Sequence, residues 1–278
     1  MDLTSYEERG YLRENYRLFH LTDAIPRQMD WHYHTFHKIV MFLSEGASYG
    51  IEGRSYPLES GDLVLVRSGC IHRPEVTPGT PYERLILYIS PDFLRRSSTP
   101  GCDLETCFRL AQEEFRFVVR PAGRSRDYTR LLLELGKACE EPGFGRELLS
   151  DALFFQFLIA LSRGMTSRSL AYAPSGAGDE KVTAILQYLA QHLTEDVSID
   201  DLAARFYISK YHMMRRFKEE TGHTIHSYLT GKRLMLAREK IAAGTPAAEA
   251  CYQSGFGDYS AFARAYRKLF SASPRSAK

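Results

Sequence analysis

Apolar positions change their rhythm twice along this chain. From about Tyr16 to Ile89 they come in short runs set apart by turn residues: Lys38–Leu43, Ser48–Gly53, Asp62–Val66 and Arg84–Ile89. Glu45-Gly46, Ser60-Gly61 and Pro91 punctuate the runs. Runs of that length, spaced by about 8–12 residues, predict the strands of a sandwich or small barrel. Before them, Tyr6, Tyr11, Tyr16 and Phe19 show no clean period, and residues 1–20 are expected as an opening strand or a mobile arm.

Beyond Pro91 the period becomes helical. Leu131, Leu132, Leu135 and Ala138 mark a helix over 127–140, closed by Glu141-Pro142-Gly143. Leu149, Leu153, Phe157 and Leu161 recur at every fourth position over 146–163, with Ala152, Phe154 and Leu158 widening the stripe. This apolar run is shorter than the roughly 20 residues a bilayer crossing needs, so it reads as a packed helix. The rhythm lapses at 164–178, a Ser/Ala/Gly-rich stretch expected as a linker. It resumes with Val182, Ile185, Leu186 and Leu189 in a helix over 181–192.

The most informative stretch is Ser198–Gly222. Ser198 is placed to cap a helix with Asp200 and Asp201 in its first turn, where the helix dipole favours anions. Its Ile199, Leu202, Ala203 and Phe206 share one face. Ser209 caps a second helix with Met213 and Phe217 inward and Tyr211, Met214, Arg215 and Lys218 outward. Two short helices with a basic outer face on the second predict a helix-turn-helix. A long helix over 224–242, about 28 Å at 1.5 Å per residue, is expected to bury Ile225, Leu229, Leu236 and Ile241. A second unit follows from Thr245, with Pro246 at its first helical position. Its last helix, 258–270, turns Phe262, Tyr266 and Leu269 inward and Tyr259, Ser260, Ala263, Arg264 and Arg267 outward.

These residues carry a family resemblance. The run LAARFYISKYHMMRRFKEETG, Tyr228-Leu229, Arg233 with Ala237, SGFGDYSAFARAYRKLF and Ser273-Pro274 together resemble the DNA-binding domain of AraC/XylS-type bacterial transcription regulators. Ser271 departs from the pattern, standing where that family usually has glycine. Upstream, His32-x-His34 and the Gly61-Asp62 to His72 stretch resemble the two motifs of the cupin barrel, the usual partner of such a DNA-binding domain. The expected fold is therefore two-domain. An all-β cupin-like jelly-roll barrel (about 16–100) with appended helices (about 103–163) makes up 1–163. After the linker, 179–278 forms an all-α domain of two helix-turn-helix motifs joined by a long helix.

Charge agrees with that division. The whole chain carries a net charge of +2. Residues 202–278 hold 14 cations against 5 anions, a net of +9, which leaves the remainder at −7. A basic segment beside an acidic one implies a polyanionic partner for the C-terminal part alone. Five cysteines (Cys70, Cys102, Cys107, Cys139, Cys251) show no paired zinc-ligand spacing and read as reduced thiols of a cytoplasmic protein.

The resemblance implies roles for particular residues. Tyr211, Met214 and Arg215, with Tyr259, Ser260, Ala263 and Arg264 in the second unit, fall where the family contacts base edges. Ser209, Lys210, Arg216, Lys218, Arg267 and Lys268 are expected on phosphates. Trp31, His32, His34, Lys38, Tyr49 and His72 are expected to line an effector pocket. Metal-binding cupins place imidazoles where His32, His34 and His72 stand, but the acidic ligand expected four residues after His34 is Lys38. His37 should point to the other face of its strand. No metal, cofactor or catalytic residue is therefore expected, and a metal-dependent cupin enzyme or metal sensor is the alternative. The partners implied are double-stranded DNA, a small effector such as a sugar or related metabolite, RNA polymerase in the case of an activator, and a second copy of the chain through 128–162. No membrane is involved.

Overall fold

The computed structural model describes residues 12–24, 29–121, 123–176 and 179–276. Most of the opening segment, including Tyr6 and Tyr11, lies outside them, and so do 177–178 at the end of the expected linker. The N-terminal half runs β1 (Tyr16–Asp23), β2 (His37–Phe42), β3 (Ala47–Ile51), β4 (Arg54–Pro57), β5 (Leu63–Val66), β6 (His72–Val76) and β7 (Tyr82–Ile89). It continues with α1 (Pro91–Ser97), α2 (Thr106–Glu113), β8 (Val118–Arg120), α3 (Ser125–Glu140), α4 (Arg146–Thr166) and β9 (Ala171–Tyr172). Six helices follow: α5 (Glu180–Gln191), α6 (Ile199–Arg205), α7 (Lys210–Thr221), α8 (Ile225–Ala242), α9 (Ala247–Gln253) and α10 (Tyr259–Phe270).

The strands form two antiparallel sheets in the cupin-like manner, ordered β1-β7-β2-β5-β8-β9 and β4-β3-β6. Strand β2 is buried at every position because both its faces are covered. Its period-2 alternation sorts the side chains. His37 stacks on Phe108 of α2, ring centroids 4.4 Å apart, and accepts a hydrogen bond from the Ser68 amide at Nδ1. Lys38 turns the other way, to the Tyr49 ring on the smaller sheet. The sequence reading of His37 as facing away from the pocket holds.

Helix α4 is 21 residues long, well beyond the apolar run seen in the sequence. It is the one helix among the described residues long and apolar enough to cross a membrane, with a mean hydropathy of 1.3 over its best window. One face explains much of that apolar content: Phe154, Phe157, Leu158 and Leu161 are fully buried, and Phe154 stacks on Tyr16 of β1. Leu148 and Leu149 at its start are exposed instead.

The stretch 164–178 is more tied down than a flexible linker. Residues 164–166 complete α4, Ala171–Tyr172 pairs with β8 as an edge strand, and Gly176 donates to the Ser55 carbonyl. Leu170 and Ala173 are buried. Its turn-like composition left only two residues in regular pairing, too few for a periodic signal.

One hydrophobic core runs from the sheets through α5, α6 and α7 to the start of α8, whereas Leu234, Ala237, Ile241, Ala250, Cys251, Phe262 and Tyr266 form a second core. Helix α8 belongs to both. Tyr228, Leu234 and Met235 are buried with the expected Ile225, Leu229 and Ile241, while Leu236 is only half-buried. A helix wedged between three neighbours cannot show a single apolar stripe. Ser271, at the C-cap of α10, takes the left-handed conformation (φ 52°), the conformation that glycine adopts at least cost.

Candidate functional site

The reading surface is built from capped helices. Ser198 Oγ accepts from the Asp201 amide at 3.0 Å and starts α6. Tyr207, at φ 50°, makes the turn, and Ser209 Oγ accepts from His212 N to start α7. Met213 and Phe217 are fully buried, each contributing roughly 1.5–3 kcal/mol to docking α7 on the core. That orientation leaves Tyr211 75% and Met214 44% exposed, with Arg215 beside them. Tyr207, in the turn just before α7, is 90% exposed as well; its place in the turn hid it from a helical-period reading. In the second unit Asp258 caps α10 by accepting from Ala261 N at 2.6 Å. Phe262 and Tyr266 are buried, and Ser260, Arg264, Arg267 and Lys268 are exposed. Tyr259 and Ala263 are half-buried, Tyr259 against Phe262. Helix α8, 18 residues or about 27 Å long, connects the two units.

The cations on this surface differ in their commitments. Lys210 pairs with Asp200, and Arg216 with Asp179 at 2.5 Å, the residue that also caps α5. Arg215 lies 3.9 Å from Glu219, a loose exposed contact worth little. Lys218, Arg264, Arg267 and Lys268 make no ion pair among the described residues. The phosphate-facing set inferred from the sequence thus divides into cations already paired within the fold and cations free to meet a polyanion.

Between the sheets lies a second cluster. His32, His34 and His72 are buried, and their ligand atoms lie within 4.8 Å of one another. Their ring centroids are 4.3–5.1 Å apart. His32 Nδ1 meets the Asp30 carbonyl at 2.8 Å and His72 Nδ1 meets the Cys70 carbonyl at 3.0 Å. A carbonyl only accepts, so each Nδ1 carries the proton and each Nε2 presents a lone pair. Burial, then the charge of Lys38 and the neighbouring imidazoles, push His72 well below the usual histidine range. Lys38 is itself 4% exposed, and burial followed by the Arg84 charge push its ammonium down to about 7. Tyr49 stacks parallel to His72, and the Trp31 ring lies against Gly50 and under Arg73.

The three imidazoles could together ligate an ion, but the set departs from that of a cupin metal centre. The His32 and His72 imidazoles have suitable tautomers, but no carboxylate joins the cluster among the described residues, and the buried Lys38 stands where the acid is expected. A divalent ion there would add its charge to that of Lys38 in a medium that screens poorly.

The barrel and the DNA-reading helices meet at a third cluster, which the sequence reading missed. Glu52, at the β3–β4 turn, is fully buried and accepts from Ile71 N at 2.9 Å, Tyr228 Oη at 2.6 Å and Lys232 Nζ at 2.6 Å. Burial is the largest influence on Lys232 and opposes its charge, but the charge and hydrogen bond of Glu52, with Cys70, together hold the ammonium above its ordinary range. Around this pair the fit is close. Arg67 donates to Glu239 at 3.2 Å, and a Cβ on Gly53 would lie 2.3 Å from Leu186 of α5. Gly222, at φ +73°, ends α7, and a Cβ there would lie 3.0 Å from Trp31. Trp31 therefore touches the end of the first recognition helix. The polar contacts that join the two domains here link residues more than 170 apart, so no local pattern announces them.

Comparison with known proteins agrees with this anatomy. Residues 23–158 match the family model described as AraC-like ligand binding domain, and residues 202–278 match one described as helix-turn-helix domain. The HTH-type transcriptional activator RhaS of Salmonella schwarzengrund (strain CVM19633) is 27% identical over 252 residues, covering 88% of this chain and 85% of that protein. RhaS of Salmonella typhimurium is 27% identical over 249 residues with the same coverage. Among solved structures, unsaturated fatty acid-bound ToxT from Vibrio cholerae is 13% identical, with a TM-score of 0.37 over 95% of both chains. The DNA-binding domain of AdpA in complex with a target DNA is 25% identical, with a TM-score of 0.33 over 34% of this chain and 87% of that one. The chain belongs to the AraC/XylS family of transcription regulators, with an N-terminal ligand-binding domain and a C-terminal helix-turn-helix DNA-binding domain.

Proposed function

We propose that the chain is a sequence-specific activator whose N-terminal domain binds a small effector and thereby changes how the two DNA-reading units are presented. The domain division follows the sequence reading: 1–163 senses, 164–178 connects and 179–278 reads. The observation that carries the proposal is the pair of capped helices α7 and α10, with exposed Arg215 and Arg264, at the two ends of α8. Arginine matches guanine O6 and N7 bidentately. In this reading Tyr211, Met214 and Arg215 contact bases with Tyr259, Ser260, Ala263 and Arg264, while Ser209, Lys218, Arg267 and Lys268 hold phosphates. Lys210 and Arg216 join them only by giving up Asp200 and Asp179.

Coupling runs through Glu52. The effector pocket includes Trp31 and His72; Trp31 touches the end of α7, and the neighbouring Ile71 amide is bound by Glu52. A ligand that favours one arrangement of these groups shifts the population of docked and released reading domains. The curated relatives are activators, and activation, with its contact to RNA polymerase in the cytoplasm, comes to this chain as part of the same proposal. The chain acts as a regulator and not as an enzyme. Leu133, Phe144, Leu148 and Leu149, exposed on α3, α4 and the turn between them, support a homodimer through 128–162. Charging Leu148 and Leu149 together to Glu should shift the sedimentation mass from dimer to monomer.

The test is selection from a random duplex library by the full chain. The expected result is an enriched site with two elements about 10 base pairs apart, one helical turn. Arg215→Ala and Arg264→Ala should each weaken that site by about 1–3 kcal/mol and relax preference in one element only. Absence of any enriched sequence at physiological salt contradicts the proposal.

A further inference from the structure

The interior between the sheets holds a lysine whose Nζ lies 5.8 Å from the centroid of the Tyr49 ring and meets no carboxylate among the described residues. Lys38 is 4% exposed and makes no hydrogen bond or ion pair among the described residues. The charged and titratable groups that interact with it are Arg84, His72 and Tyr49, with Tyr88 opposite it in the strand pairing and His32 and His34 clustered on His72. None is a carboxylate. The two carboxylates buried among the described residues are engaged elsewhere: Glu52 by Lys232 and Tyr228, and Asp62 by Arg120 at 2.8 Å. Arg84 has its own partner, Asp23, at 2.6 Å. A buried ionisable group is either compensated or driven towards its neutral form. Burial followed by the Arg84 charge lowers Lys38 to about 7, so an anion placed beside it would restore its charge. Beside Lys38, His72 Nε2 and Tyr49 Oη are buried without a hydrogen-bond partner among the described residues. The Cys70 carbonyl fixes the His72 tautomer, so that Nε2 accepts, and a phenol both gives and accepts.

We propose that the effector is a small hydroxy-carboxylate, with its carboxylate on Lys38 and its hydroxyls on the His72 imidazole edge and Tyr49. This rests on reading the N-terminal half as an effector-binding domain, and it narrows the effector from any sugar-like metabolite to an acid. A neutral polyol satisfies His72 and Tyr49 and leaves Lys38 uncompensated. An acid without hydroxyls compensates Lys38 and leaves the acceptors unmet. The hydroxy acid satisfies both.

Trp31 is the sole tryptophan and directly precedes His32, so its fluorescence reports on this interior together with the adjoining end of α7. The full chain is titrated to millimolar concentration with matched pairs: gluconate against sorbitol, galacturonate against galactose, lactate against propylene glycol. Nickel chloride alone forms a separate arm. The expected result is a saturable change with at least one acid and an affinity about tenfold or more weaker for its neutral match. Lys38→Met should lose that preference and Lys38→Arg should keep it. Because Lys38→Met removes an uncompensated charge, its melting temperature should stay at or above that of the parent, which separates loss of binding from loss of folding. Neutral members binding as well as acids, no acid changing the signal, or Lys38→Met binding the acid undiminished each overturns the proposal. Saturation by nickel alone, lost in His72→Ala, overturns it in favour of a metal. Library selection without any small molecule checks the regulatory reading separately. If it fails while acids bind, regulation falls and the ligand class stands. If it succeeds while acids do not bind, the ligand class alone falls.

Discussion

Two lysines are buried in this protein in opposite circumstances. Lys232, at the contact between the domains, reaches Glu52 at 2.6 Å and is held in its charged form. Lys38, between the sheets, has no carboxylate, and its ammonium is pushed down to about 7. Burial is the largest influence on both, so the difference lies in the partner. A paired buried charge registers two surfaces against each other. An uncompensated one costs stability and is tolerated where a ligand meets it, as stored strain at functional sites is. On the proposed reading, the domain contact sets the docked arrangement and the interior is where a ligand would meet Lys38.

The contrast is broken most severely by Lys232→Met. It leaves Glu52 buried without its counter-charge, and urea unfolding should show a loss of about 3–5 kcal/mol. A loss below about 1 kcal/mol would mean that water reaches Glu52 and the contact is not a lock.

A comparable test uses acid. His223, buried near Glu52 and Lys232, is pushed down to about 4, first by burial, with Glu52 opposing and Lys232 adding to the shift. The unfolded imidazole takes a proton near 6.5 and the folded one refuses it until about 4. The stability involved is therefore intact above pH 6.5 and is lost as pH falls towards 4, about 3 kcal/mol in all. His223→Gln should flatten unfolding free energy across that window, and an unchanged slope would place the titration elsewhere.

Lys38 sharpens the contrast from the other side. The unfolded lysine stays protonated to about 10.5 while the folded one releases its proton near 7. Its cost is therefore full below pH 7 and fades as pH rises to 10.5. Lys38→Met should gain between zero and about 4 kcal/mol at neutral pH and remove that rise. A narrower test is Tyr228→Phe, which removes one hydrogen bond to Glu52. It should cost about 1–3 kcal/mol in thermal unfolding and spare the acid preference of the barrel.

The reading helices were legible because local rules govern them. Ser198, Ser209 and Asp258 cap where their side chains allow, and Met213, Phe217 and Phe262 fall on one period. The direction of Lys38 and His37 was legible from strand alternation. Strands β4 and β6 were not. Arg54–Pro57 is four residues long, and His72–Val76 carries Pro74, which suits an edge strand and breaks the sequence signal. The pocket imidazoles were found through a resemblance; their fixed tautomers depend on backbone carbonyls that only the fold brings near. Glu52 and its partners were invisible because the charge that gives each meaning arrives from the other domain.

The most direct measurement is the melting temperature of Lys38→Met beside that of Lys232→Met, at neutral pH and without added small molecules. The account predicts Lys38→Met at or above the parent and Lys232→Met well below it. A Lys38→Met protein that melts as early as Lys232→Met would make both lysines structural and contradict the assignment of the interior to a ligand.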